Sequence, residues 1–457
     1  MSSRVEFEQR SSAGGQVFFD RLETRTDAER AQDLARQLPI QVCAAREVPA
    51  FAERLREVDA ASVTSREALA PLPVTRKAEL LERQRAGCRA PGAGSAIGSP
   101  SAGYASDEIA TEFDPFGGFS AIGWPHLRGL SGARRVYQSP GPIYEPEGSG
   151  ATDYWRLARA LFAAGFRSGQ LVHNSFSYHL TPGAWMLDGG AQALGCTVFP
   201  GGVGNTELQL QAMHELRADA YCGTPSFLRI LIEKASETQL GLPHLQRALV
   251  SGEAFPPSLR DWLREHGIEG YQAYVTADLG LIAYETTARE GLVVDEGVVV
   301  EIVRPGTGDP VPDGEVGEVV VTVLHPEYPL IRFATGDLSA VMPGKCPTGR
   351  TQMRICGWMG RADQTTKVRG MFVHPSQVAE VMRRHPELGR ARLVVEGEMA
   401  NDQMRFLVET NRPSAELASA VGESLREVTK LRGEIEWAEM GALPNDGKVI
   451  EDRRTYR

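Results

Sequence analysis

No apolar run in the chain approaches the ~20 residues needed to cross a bilayer, and the opening MSSRVEFEQRSSAGG lacks the apolar centre of a secretory leader. A cytoplasmic protein with no membrane partner is expected. Cysteine is scarce and scattered: Cys43, Cys88, Cys196, Cys222, Cys346 and Cys356 contain no CxxC pair. That gives a disulfide framework or zinc site little support. Cys346 and Cys356 flank one short linker with no histidine between them, and free thiols are the expectation there. Positive charge is in deficit, 49 basic against 59 acidic residues for a net of -10, which argues against a nucleic acid as main partner. No internal repeat is visible.

What is present is enough chain for more than one core. A length of 457 residues predicts at least two domains. Residues 1 to about 95 read as helical and irregular, with AERAQDLARQLP and PAFAERLREVD spacing apolar and charged residues as a helix does. Thr75 in LAPLPVTRKAELLERQ is placed to cap an amphipathic helix, and the glycine- and serine-rich 89–107 reads as a surface loop. From about 150 to 324 short apolar strands alternate with helices, which implies a parallel sheet with covered faces. Ligands of such sheets bind beyond the carboxyl ends of the strands. The functional search therefore falls on FSYHLTPG, PGGVGNTE, CGTPS, SGEA and YVTADLG. After 293 the pattern turns to paired antiparallel strands, and from 362 onward to a small α+β unit.

Residues 328–377 organise the rest. YPLIRFATGDLSAVMPG carries a Thr-Gly-Asp turn, and GWMGRADQTTKVRGMFVHPSQ carries a Gly-Arg-Ala-Asp turn followed by a basic, glycine-punctuated hairpin. Asp337 and Arg361 are thus opposite charges presented from turns. Together these segments resemble the ribose-binding and hinge segments of the adenylate-forming superfamily, most closely its phenylacetate-coenzyme A ligase branch. PVTRK resembles the same branch's opening helix.

The resemblance implies an α/β fold: a large N-terminal adenylate-forming domain, 1–361, with parallel sheets flanked by helices plus a β-rich subdomain, and a small mobile α+β lid, 362–457. It gives Asp337 and Arg361 to the ribose of ATP, since a carboxylate accepts from both hydroxyls of a vicinal diol. Asp363 becomes the pivot of the lid. SGEA (Ser251, Gly252, Glu253) is similar to the segment whose backbone holds adenine. YVTADLG puts Tyr274 over the base, Thr276 beside it and Asp278 on the magnesium; without the resemblance, Tyr274 is equally a core residue and Asp278 a helix cap. Tyr178, His179, Gly201, Gly202, Ser226 and Phe227 are implied as walls of the acyl pocket. LPNDGKVIEDRR is similar to a closing loop whose lysine, here Lys448, clamps the charge that develops on the attacked phosphate. Lys367 and Arg369 either meet the phosphates of coenzyme A or form a solvated basic strand.

One stretch departs from the family. Where a loop rich in Ser, Thr and Gly with a lysine is normal, this chain has YQSPGPIYEPEGSG, residues 137–150. Pro140, Pro142 and Pro146 have no amide hydrogen for a phosphate, Glu145 and Glu147 add negative charge, and Ser139 remains as a phosphate contact. Arg134 and Arg135, just upstream, are candidate substitutes. The implied activity is an ATP-dependent, AMP-forming ligase joining an aromatic carboxylic acid to coenzyme A, with magnesium; oligomeric state is open, and a homodimer is compatible with the sequence. Two alternatives stand beside it: an adenylating ligase with an amine or hydroxyl acceptor, and a weakened homologue that binds acyl adenylate or acyl-coenzyme A.

Overall fold

The computed structural model describes residues 17–88, 113–129, 132–362, 366–368, 371–397, 402–444, 446 and 448–453. The 89–107 stretch, Asp363 and Arg369 lie outside the described residues, as does the Lys367 side chain.

The largest sheet has nine strands. Its parallel half runs Thr197–Pro200, Leu171–Asn174, Ala220–Gly223, Arg247–Val250, Glu269–Thr276 in spatial order. The chain enters at Leu171–Asn174, steps to one side and then crosses back to the other. The direction of winding therefore reverses beside the first strand, where a crevice opens at the carboxyl ends. The alternation of short apolar strands with helices such as Gly183–Ala193 and Pro225–Thr238 matches the sequence expectation. Beyond Glu269–Thr276 the sheet turns antiparallel through Gly280–Glu285.

A four-stranded sheet joins Val298–Val303, Gly317–Val323 and Phe333–Ser339 to a short parallel partner, Thr75–Arg76. Thr75 is therefore no helix cap. Its amide donates to the Arg332 carbonyl at 2.9 Å and its hydroxyl to the Ile331 carbonyl at 3.1 Å, and the helix Lys77–Gly87 starts without a side-chain cap. A β-branched residue beside an open strand edge finds more partners in the ladder than at a helix end. In the N-terminal part Asp27–Arg46 is a capped helix, whereas PAFAERLREVD is helical only over Pro49–Ala52.

Residues from Val368 onward supply their own apolar core, including Val373, Leu393, Phe406, Leu425 and Ile450. It packs the helices Pro375–Arg384 and Ala415–Thr429 on a sheet of Ala391–Glu396, Gln403–Glu409, Glu434–Ala438 and Ile450–Asp452. The strands Thr366–Val368 and Met371–Val373 pair antiparallel.

One buried arginine ties the β-rich subdomain to the N-terminal segment. Arg332 is 2% exposed; its guanidinium donates to Glu301 Oε2 at 2.9 Å and to the carbonyls of Ala70, Leu72 and Gly308. Removing one partner of a buried ion pair strands the other, at a cost of about 3–5 kcal/mol, whereas replacing both by apolar groups is far milder. Thermal melting of Arg332→Met should therefore fall well below wild type, and Arg332→Met/Glu301→Met should recover much of the loss. An unchanged melt for the single variant would contradict this account.

Candidate active site

The Thr-Gly-Asp motif is a bulge within a strand rather than a turn. Ala334 pairs with Val320 and Leu338 with Glu318, so Thr335, Gly336 and Asp337 together face Val319 alone. The crowding turns Asp337 out of the ladder, a common use of bulges beside functional sites. Gly336 has φ +73°, and a Cβ there would stand 2.7 Å from the Arg361 guanidinium. Residues 359–362 run alongside through Leu338 N–H to Gly360 O and Ala362 N–H to Gly336 O.

The bulge gathers the predicted ribose residues. Arg361 Nη1 donates to Asp337 Oδ1 at 2.9 Å, and Tyr274 Oη donates to Oδ2 at 2.9 Å. Trp358, which sequence reasoning passed over, donates its indole N–H to Oδ1 at 3.1 Å. Asp337 is nearly buried, while Trp358 is 53% exposed and the Arg361 side chain 55%. Tyr274 thus packs against the core and is also a polar member of the site. Burial first, and the Asp337 charge second, push its phenol well above the usual range.

Beside this cluster, beyond the strand ends, lies a cavity of about 200 Å³. Phe176, Pro182, Met186 and Leu187 form its apolar wall, and Ser139, Ser251, Gly252 and Thr276 rim it. Ser251 donates to the Ala273 carbonyl at 2.8 Å and so ties two strand ends together. Glu253 is exposed and accepts from Ser226 N–H.

The other expected pocket residues stand elsewhere. Tyr178 is held by Asn174 and Asp188 with its ring edge-on to Trp185, and His179 is exposed. A Cβ on Gly201 would strike His173 and Gln209, and one on Gly202 would meet open space. Ser226 is exposed, and Phe227 packs against the helix-side core. Tyr178 and His179 at the tip of FSYHLTPG do not line the cavity, while Phe176 before them and Pro182 after them do. Alternation along an irregular loop gives no period from which to read that facing.

Residues 137–150, expected as a loop, form most of a hairpin, Ala133–Ser139 with Ile143–Gly148. Gln84 clamps it to the helix beneath, donating to Tyr144 O at 2.8 Å and accepting from Tyr144 N–H at 2.7 Å. Arg134 and Arg135 pair with Glu147, and Arg135 also lies 4.3 Å over the Trp185 ring. Both are committed inside the hairpin, which removes them as substitutes for the missing phosphate lysine.

Glu145 faces Asp278. Asp278 occupies the tight turn between the strands Glu269–Thr276 and Gly280–Glu285, so there is no following helix for it to cap. Its Oδ2 accepts from Lys77 Nζ at 3.1 Å. Glu145 Oε1 accepts from Ser139 Oγ at 2.8 Å. Glu145 is 0% and Asp278 3% exposed, and Glu145 Oε2 and Asp278 Oδ1 are buried with no donor. Burial, then the Asp278 charge, drive the Glu145 carboxyl well above the usual carboxylate range. Nothing in spacing singled out Lys77. No cluster of three or more potential metal ligands occurs among the described residues; Cys346 is buried beside Thr348 and Thr286, Cys356 is exposed, and both are free.

Lys448 is exposed and lines a different cavity, about 520 Å³, between residues 304–316 and the C-terminal unit. The end of its segment, Ile450–Asp452, is an edge strand paired with Ala391–Glu396.

This architecture is the fold of adenylate-forming coenzyme A ligases. A 2-hydroxyisobutyryl-CoA ligase in the postadenylation state superposes with a TM-score of 0.67 at 22% identity, covering 98% of this chain and 94% of that one. Residues 178–323 match the AMP-binding enzyme family. The phenylacetate-coenzyme A ligase of Thermus thermophilus is 34% identical over 269 residues, 56% of this chain and 60% of that enzyme. The Aromatoleum evansii phenylacetate-coenzyme A ligase is 31% identical over 293 residues, 61% and 66% respectively. The chain thus spans about three fifths to two thirds of these relatives. It is similar to the phenylacetate-coenzyme A ligase-like branch of the adenylate-forming superfamily.

Close to the carboxyl pair, His325 packs 4.5 Å from Tyr154, and burial, then the Arg156 charge, push its imidazole down to about 4. A base depressed in the folded state stabilises the fold above its ordinary value of 6.5 and loses that contribution as pH falls toward 4. The loss amounts to about 3 kcal/mol. The melting temperature of His325→Asn minus that of wild type should therefore rise steadily from pH 6.5 to 4. A difference independent of pH would refute the assignment.

Proposed function

We propose that the chain condenses ATP with an aromatic carboxylic acid to an acyl adenylate, releasing pyrophosphate, and then transfers the acyl group to coenzyme A. The observation that carries this reading is the Asp337 carboxylate, turned out of its strand and holding Tyr274, Trp358 and Arg361, beside an apolar cavity at the strand ends. A ribose diol brings two hydroxyl donors; the exposed Trp358 and Arg361 give way most cheaply, because water solvates what they release. Ser251 and Gly252 border the adenine side, and Tyr274 and Thr276 lie between base and acyl cavity. Among the described residues no charged side chain lines that cavity, so an acid with a flat, uncharged tail suits it and a dicarboxylate does not. The orphaned oxygen of Asp278 fits magnesium, which would offset the charge of the phosphates. Lys448 reaches the attacked phosphate once the C-terminal unit turns about Asp363. The subsequent turn exposes the adenylate carbonyl to the thiol, with Lys367 and Arg369 toward the cofactor's phosphates. A cytoplasmic location and a homodimer accord with this reading; no helix among the described residues is long and apolar enough to cross a membrane.

The hairpin favours one second reading. Glu145 occupies ground where a phosphate cradle is expected, as suits a homologue that binds adenylate without making it.

Exchange of labelled pyrophosphate into ATP, run with arylacetic, benzoic and dicarboxylic acids, separates the two. Label should appear with aromatic acids only; none with any acid would leave the binding protein. Lys448→Ala should lower exchange by about 10²–10³-fold while thioester formation from supplied acyl adenylate stays within a few-fold of wild type. Equal loss in both half-reactions would remove Lys448 from the role.

A further inference from the structure

The cavity of about 520 Å³ beside Lys448 combines two kinds of wall. Met382, Leu388, Met440 and Leu443 make it apolar in part, and Met440 is 51% exposed. Arg304, Arg390 and Lys448 line it too, and none of them forms an ion pair among the described residues. Arg390 makes one long contact, 3.5 Å, to the Leu443 carbonyl. Arg392, 5% exposed and also on the wall, pairs with Asp446 and Glu451, yet its Nε is buried without an acceptor. Two carboxylates share the cavity, and neither forms an ion pair with these cations. Glu409 is taken up by amides instead, accepting from Leu443 N–H at 2.8 Å and Arg390 N–H at 3.1 Å. Burial raises its carboxyl, and those amides outweigh burial and leave it below the usual range. Glu315 is the other carboxylate. The large cavity beside the helix Asp27–Arg46 differs, because its Arg25, Arg156 and Arg159 are each bound to a carboxylate. Unpaired cations next to apolar side chains are the composition of a site for an organic anion.

We propose that this cavity binds a phosphate monoester with an apolar body, such as an alkyl phosphate. The head, with a charge of about −2 at neutral pH, suits Arg304, Arg390 and Lys448 together, since cations on phosphate oxygens make charge-assisted hydrogen bonds. The body covers Met382, Leu388 and Met440, and burial of its methylenes adds affinity. An inorganic anion leaves that surface wet, and a neutral apolar molecule leaves the cations unpaired. Arg304 directly follows the strand Val298–Val303, whereas Arg390 and Lys448 belong to the C-terminal unit, so the ligand bridges the two. A ligand that binds one arrangement better than another shifts the population toward it. Under the proposed function Lys448 must leave this cavity to reach the attacked phosphate. An occupied site therefore holds back adenylation and spares thioester formation, and only that consequence rests on the ligase reading.

Hexyl phosphate is the probe. Calorimetric titration into the full chain, without nucleotide or acid, should show one saturable site, with inorganic phosphate weaker by about tenfold or more and hexanol silent. Arg304→Glu and Arg390→Glu should each weaken hexyl phosphate by about tenfold or more, since repulsion replaces attraction. Both residues are exposed, and melting curves confirm that the variants fold. Saturating AMP should leave the affinity within a few-fold of that measured without it. No saturable binding to wild type at millimolar concentration, unchanged affinity in both folded variants, or full displacement by AMP would each overturn the proposal. In wild type, hexyl phosphate should slow pyrophosphate exchange more than thioester formation from supplied acyl adenylate, and Arg304→Glu should abolish that difference. Absence of exchange with every acid would defeat the ligase reading and leave the calorimetry to decide the site.

Discussion

The pairing of Thr75–Arg76 with Phe333–Ala334 is the contact on which the site depends. It is only two residues long, but Lys77 follows directly on one strand and the Asp337 bulge follows on the other. A single register thereby places the ammonium that meets Asp278 and the carboxylate that meets Tyr274, Trp358 and Arg361. Slipping a strand register by one residue turns every side chain to the opposite face. The anchoring at this point is correspondingly heavy: Thr75 is fully buried and bonded through both amide and hydroxyl, and neighbouring Arg332 is fixed by Glu301 and surrounding carbonyls.

Much of this was legible in the residues, and the failures have physical causes. The parallel half-sheet and the functional loops at its ends followed from short apolar runs, and the Asp337–Arg361 partnership from the resemblance that two glycine-bearing motifs carry. Those signals are local, so the chain's own spacing carries them. The 137–150 hairpin was missed because three prolines suggest a loop, whereas its strands are held by contacts distant in sequence: Gln84 on the Tyr144 backbone, and Glu147 with Arg134 and Arg135. Lys77 was invisible for the same reason, since its partner lies 201 positions away. Thr75 looked like a cap because a helix does start after it; only the strand edge beside it shows the stronger claim on its hydroxyl.

The acyl wall shows a further limit. Phe176 and Tyr178 are two residues apart on one loop, yet Phe176 lines the cavity while Tyr178 is turned back on Asn174 and Asp188. In a regular strand they would share a face. The loop breaks that rule because Asn174 holds both neighbours, accepting from Phe176 N–H at 3.2 Å and donating to Tyr178 Oη at 2.9 Å. Side-chain facing in such a segment is set by hydrogen bonds that composition does not reveal.

The two halves of the site differ in how easily they exchange partners, and this orders the events of binding. Around Asp337 the donors Trp358 and Arg361 are about half exposed, so the sugar of the proposed function would displace them with water on hand to satisfy what is released. Around Asp278 and Glu145 every carboxyl oxygen is buried, and the hairpin is clamped by Gln84 and by Arg85 on the Gly141 carbonyl at 3.0 Å. Entry of phosphate there must break buried contacts before making new ones, which costs free energy that the ribose side does not demand. Under the proposed function, nucleoside recognition comes first and cheaply, and its binding energy is available to open the phosphate side. That is the sequence of events in which an enzyme uses contacts remote from the reacting atoms to assemble its reactive geometry.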